Sequence, residues 1–413
     1  MTILSRPITL LLFLLPSLLV AQPQSWLPET QVSRSTASQK SPVVVTVDRG
    51  FFAAWLEGPD SMPRVVVGRL RPGGGAAAVP VTASTSAQLE PIVASSGDVV
   101  LVAWLEPEGG TRLMIQRFSS FGVPLEDARE LAQTRRGDDG KVAASIWDGS
   151  QFLVAWTDSD IRYVRITREG VVLDPAPVVI PQSQRAESPY PWPQLNPSFA
   201  TTGDVTLLVW QNSFRRRGTC IVGPCLPIPP PRIDGIRIDR NGLPIDAIPI
   251  PLSQGEGLGE EHPRAASVGG SFFVVWEGGL GIGGTEVHTD GSAGPPRHYS
   301  SGGETIEALT AAADRYFILW RDSDGSGNDE LFGSFLLPTR PWTGRVRISP
   351  RGVWGDYYPT PIPAFHDGAA AGDETGSVVV LFTRIEPDLA SARRIWQRIF
   401  GPVREMRKRA VAR

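Results

Sequence analysis

In the stretch DSDGSGNDE, Asp322, Asp324, Ser326, Asn328 and Glu330 put a side-chain oxygen at every second position. Alternating oxygens can wrap a hard cation, and calcium is the metal that takes such ligands. Asp322, Asp324 and Asn328 are its candidate ligands. The stretch lacks the spacing of an EF-hand loop, so a polar hairpin held by Asx-turn bonds is the competing reading. No other cofactor is indicated.

A second set of carboxylates recurs two residues after a repeated aromatic: Glu57, Glu106, Asp158 and Asp322, with Asn212 in the equivalent place. Gathered on one face they would form an acidic ring. Each can instead cap its own turn or pair with an arginine of the following strand, such as Arg112 or Arg162. The four histidines, His262, His288, His298 and His366, form no H-E-x-x-H pattern and read as surface or turn residues. No G-x-S-x-G elbow occurs, and the glycine runs at 73–75 and 278–284 are not followed by a helix pattern. No catalytic residue is therefore assigned. The two cysteines, Cys220 and Cys225, are expected to form a local disulfide, since a zinc site would want more ligands than these.

The elements that would carry these residues announce themselves by repetition. GFFAAWLEG, DVVLVAWLEP, SQFLVAWTDS, DVTLLVWQNS, GSFFVVWEGG, DRYFILWRDS and GSVVVLFTRI end their apolar runs at Trp55, Trp104, Trp156, Trp210, Trp276, Trp320 and Phe382. These anchors are spaced 49, 52, 54, 66, 44 and 62 residues apart. A period near 40 to 50 residues built of short strands is that of a propeller blade. Around each anchor lie a preceding segment such as EPIVASSG and two following ones such as IRYVRITREG and APVVIPQ, which makes four strands joined by hairpins. A middle strand of such a blade is covered on both faces and can be apolar throughout. In FLVAW, Phe152, Val154 and Trp156 should face one neighbouring blade and Leu153 and Ala155 the other.

With this pattern the chain resembles the secreted bacterial β-propeller repeat proteins whose blades read W-x-D-x-R-x-G-x-x-D. WRDSDGSGNDELFGSF, Trp320 to Phe335, is its nearest copy of that motif, and the other blades keep the aromatic and the acid. The resemblance implies a propeller and no particular reaction. The expected fold is all-β: seven four-stranded antiparallel blades at about 41–84, 87–133, 141–182, 194–253, 262–300, 304–349 and 357–400. The last of these lacks a fourth strand. WLPETQVSR, residues 26–34, reads as the strand that completes it and closes the ring, the alternative being six blades and a separate end module.

At the start, Arg6 precedes an apolar run of 13 residues from Ile8 to Val20, followed by Ala21. That is a secretory signal peptide over residues 1–21, too short for a membrane span. The expected organisation is then one propeller domain over 22–400 and a basic tail over 401–413, in a protein secreted to the periplasm or cell surface. Forty basic against 43 acidic residues, net charge −3, disfavour a nucleic-acid partner. Membrane insertion is not expected, and a monomer is.

Long segments concentrate on the face of blade connections and second-to-third strand loops: Asn212 to Arg232, 183–194, 253–263 and 349–359. They carry aromatics that a core does not need. Tyr190, Trp192, Trp354, Tyr357 and Tyr358 are the candidate ligand-binding residues, able to stack on sugars or anchor a protein, or else to pin the loops. The functional expectation is a secreted non-catalytic binding or scaffold propeller for a glycan or protein ligand. The alternative is an extracellular, sialidase-like glycan hydrolase.

Overall fold

The computed structural model describes residues 25–82, 84–134, 142–182, 193–212, 230–254, 259–300, 302–323, 329–337, 345–348, 367–385 and 393–401. Within them the chain forms seven antiparallel sheets and no helix. It is a seven-bladed β-propeller, as the repeat predicts. The first strands of the blades are Gln39–Val47, Leu89–Ser95, Ala143–Trp147, Gln194–Thr201, Glu260–Val268, Glu304–Ala312 and Gly368–Gly372. Each touches the first strand of the next blade, and the seventh meets the first, so together they enclose a central channel.

The second strands hold the anchors: Gly50–Glu57, Val99–Glu106, Phe152–Asp158, Thr206–Asn212, Ser271–Gly278, Arg315–Ser323 and Val378–Ile385. Their unbroken apolar runs follow from burial on both faces. Phe152, Val154 and Trp156 pack against Leu101, Ala103 and Leu105 of the preceding blade. Leu153 and Ala155 pack against Leu208 and Trp210 of the following one. All six anchor tryptophans are at most 2% exposed, which places them in the core and leaves none as a ligand platform.

The N-terminal segment closes the ring. Ser25 and Trp26 pair with Gly401 and Phe400, and Thr30 and Gln31 pair with Gln397 and Trp396, supplying the missing fourth strand of blade 7 in two short pieces. Leu27 and Val32 donate backbone N–H groups to Ile399 and Ile395, each at 2.9 Å. Val32 is buried with Trp55, Val379 and Ile395 between blades 7 and 1. Glu29 pairs with Arg384 at 3.4 Å and also with Arg398.

Candidate functional site

The first strands are not regular. In blades 1, 2, 4 and 5 two residues of the first strand stand opposite the single anchor tryptophan of the second. The bulged pairs are Ser41-Pro42, Glu90-Pro91, Asn196-Pro197 and His262-Pro263. A bulge leaves a residue out of the ladder, and proline has no N–H to be orphaned there. The residue before it adopts φ of 51°, 49°, 56° and 52° in the four blades. These are four of the seven non-glycine residues with positive φ among those described, so left-handed backbone is concentrated at one level of the channel. Such a conformation costs about 1–3 kcal/mol per residue and persists only where its surroundings enforce it. Blade 6 has a smaller slip, in which Glu307 is the extra residue between Ile306 and Ala308.

What enforces the bulges is a set of side-chain acceptors reaching between blades. Glu90 Oε2 accepts the Val142 N–H at 3.3 Å. Gln211 Oε1 accepts the His262 N–H at 3.2 Å and the Asn196 amide at 2.8 Å. Glu277 Oε1 accepts the Ile306 N–H at 2.9 Å while its Oε2 meets His262 Nδ1 at 3.0 Å. Glu307 Oε2 accepts the Gly368 N–H at 3.2 Å, and Asp367 Oδ2 accepts the Ser41 N–H at 2.8 Å. Five of these bonds run from one blade to the next and satisfy backbone N–H groups of the first strands or the residues leading into them, whereas the Asn196–Gln211 and His262–Glu277 contacts stay within blades 4 and 5.

Ser41, Glu90, Glu307, Asp367 and Gly368 of this set line a cavity of about 400 Å³ at the end of the channel where the first strands begin. Its wall alternates apolar groups with Ser41, Glu90, Ser145, Ser198, Arg264, Glu307 and Asp367. Glu307 lies 3.3 Å from Arg321 Nε, yet burial dominates and pushes its carboxyl up to about 7, with nearby Asp367 adding to the rise. Burial pulls the Arg264 guanidinium down, opposed by the more distant charges of Glu277 and Glu307. Arg264 donates from Nη1 to the carbonyls of His262 (3.4 Å) and Pro263 (2.9 Å), while its Nε has no partner.

The carboxylates that follow the anchors do not form an open acidic ring. The Trp55 and Trp104 indole N–H groups donate to Glu57 at 3.3 Å and Glu106 at 3.0 Å, and that of Trp210 to Asn212 at 3.1 Å. Glu106 also holds Arg112 at 2.9 Å, Asp158 faces Arg162 at 3.7 Å, and Asp322 takes Arg345 at 2.7 Å. They pin the anchors and the next strand, the alternative the sequence offered.

Of the other candidates, Tyr190, Trp192, Trp354, Tyr357, Tyr358, Asp324, Asn328, Cys220 and Cys225 lie outside the described residues, as does the segment 1–21. One expectation is corrected. His288 and His298 are exposed, but His262 is half-buried and not in a turn: it occupies a bulge in its strand near the channel mouth, bonded to Glu277. The bulged residues as a group escaped sequence reasoning. The available sign was an x-Pro pair fourteen residues before the anchor, at 41 and 55, 90 and 104, 196 and 210, and 262 and 276.

No protein-family model matches the chain, and no curated protein does. Among solved structures it is similar to a protein of unknown function from Dyadobacter fermentans (TM-score 0.55, 11% identity), over 92% of this chain and 99% of that one. A subtype N10 neuraminidase-like protein of A/little yellow-shouldered bat/Guatemala/060/2010 aligns with a TM-score of 0.47 and 7% identity, over 78% of this chain and 97% of that one. At 11% identity the likeness to the Dyadobacter protein is one of fold alone.

Proposed function

We propose that the protein is a secreted, non-catalytic binding propeller that holds a glycan or protein ligand at the mouth of its central channel, on the face of the blade connections. The observation that carries this reading is the fixed geometry of the mouth. Glu90, Glu307 and Asp367 in its wall accept N–H groups across blade boundaries and hold a cavity of about 400 Å³, lined by mixed apolar and polar groups, in shape. Small-ligand sites run from roughly 300 to 1,000 Å³ and are largely pre-formed. Tyr190, Trp192, Trp354, Tyr357 and Tyr358, in the sequence between blades 3 and 4 and between blades 6 and 7, are proposed to extend the site outward. The apolar leader before Ala21 supports export.

A glycan hydrolase is the second reading, and one observation favours it. Glu307, with its carboxyl pushed up to about 7, has the proton affinity of a general acid. A glycan array run beside a glycosidase substrate screen separates the two. Retention without turnover is the expected result. Turnover that disappears in Glu307→Gln would replace the binding reading with the enzymatic one.

A further inference from the structure

Arg264 stands in the wall of the channel mouth, where Glu277 and Glu307 act on it only from beyond ion-pair distance. Among the described residues no carboxylate lies within ion-pair distance of Arg264, whereas the neighbouring Arg321 has Glu307 and Arg112 has Glu106. Of its guanidinium nitrogens only Nη1 is bonded, and only to two backbone carbonyls of its own bulge. Nε is buried and unpartnered, and the hydroxyl of Ser145, two blades away on the same wall, is also buried without a partner. A charge withdrawn from water is costly unless paired, and a fixed guanidinium presents donors in a fork that matches a carboxylate. The nearby acids do not fill the role. Glu277 is held by His262 and Ile306, and Glu307 by Arg321 and Gly368.

We propose that Arg264 is the anion anchor of the channel mouth and that the ligand seated there is an acidic saccharide, bound through its carboxylate. This rests on the binding reading above. The saccharide follows from the rest of the wall. Ser145 and Ser198 offer hydroxyls, the Ser145 oxygen and Asp367 Oδ1 offer acceptors for sugar hydroxyls, and Pro42, Pro91 and Pro197 give flat apolar surface between them. An acidic peptide would share the carboxylate but would bring few hydroxyl donors to those acceptors.

The test is calorimetric titration of the full-length exported protein with trigalacturonic acid and with the same trisaccharide reduced at its carboxyl groups. Glutamate-rich peptide serves as a third probe. The acid should bind, and the reduced sugar should bind at least tenfold more weakly. Arg264→Gln should lose about ten- to hundredfold in affinity for the acid, the range expected of a charged hydrogen bond, with little change for the reduced sugar. Arg264→Lys should keep part of it. Equal affinity of wild type for the acid and the reduced sugar overturns the inference while leaving the binding reading intact, and needs no variant to fold. Binding of the peptide alone overturns the saccharide assignment. Binding of neither sugar nor peptide defeats both readings.

Discussion

Asp367, at the start of blade 7, accepts the backbone N–H of Ser41 at 2.8 Å and its hydroxyl at 3.1 Å, across 326 residues of chain. The bond crosses the seam where the ring closes, and it holds Ser41 in its left-handed conformation. Asp367→Ala removes an ionised acceptor from two donors and should cost about 1.5–3 kcal/mol. Asp367→Asn keeps an acceptor oxygen and should cost less than half as much. Urea unfolding of the three proteins measures this. An alanine variant as stable as wild type would mean that the seam does not depend on this contact.

The same seam is closed from outside by the N-terminal strand pieces. A chain starting at Ser35 would expose the edge of Arg393–Gly401 and uncover the core that Val32 seals. An unpaired edge is a template for pairing with another chain. The truncated protein should melt several degrees lower and run partly as larger species in size-exclusion chromatography. Unchanged melting and a single unshifted peak would show that the latch is dispensable.

Glu106 separates a structural acid from a binding one. Its carboxylate is 2% exposed and holds the Trp104 indole at 3.0 Å, the Gln88 amide at 3.2 Å and Arg112 at 2.9 Å. Glu106→Ala should destabilise by about 2–4 kcal/mol, because the Trp104 indole and the Gln88 amide are left buried and unpaired while the half-buried Arg112 can turn to water. Glu106→Gln should cost about 1–2 kcal/mol. Neither should change affinity for any ligand of the channel in protein that remains folded. A loss of affinity in the glutamine variant at unchanged stability would move Glu106 into the site.

Much of the architecture was readable because one physical demand repeats seven times. A strand covered on both faces must be apolar at every position, so Phe152 through Trp156 look the same in each blade. Closure was readable for the same reason, since blade 7 visibly lacked a strand and residues 26–34 had no partner. The acids after the anchors were readable as a pattern, and their role followed once Trp104 and Arg112 were seen to share Glu106. The channel mouth was hidden. Its bulge needs a left-handed residue before a proline, and Ser41, Glu90, Asn196 and His262 meet that need with four different side chains. A search by residue type finds nothing common in them. Blades 6 and 7 use Glu307 and Asp367 without proline, so even the spacing fails there. Arg264 stands out only when its surroundings are known, because its distance from any carboxylate among the described residues is a property of the folded ring.

Glu307 gives the mouth a dependence on pH whose sign is fixed. Burial raises its carboxyl from the ordinary 4.5 to about 7, against the pull of Arg321 and the Gly368 N–H and with Asp367 adding to the rise. Between those two values the folded protein binds more protons than the unfolded chain. Stability from this group is therefore complete below about 4.5 and falls as pH rises to about 7. Glu307→Gln cannot ionise, so it should match wild type near pH 4.5 and exceed it at pH 8 by roughly 1–3 kcal/mol. Ligand binding should move in the same window. Arg264 and Glu307 share the cavity wall, and an ionised Glu307 repels an anion held by Arg264. Affinity of wild type for trigalacturonic acid should rise as pH falls through about 7, while that of Glu307→Gln stays level. Chemical unfolding and titration calorimetry at matched pH values read both effects. Parallel pH profiles for the two proteins would exclude Glu307 as the titrating group.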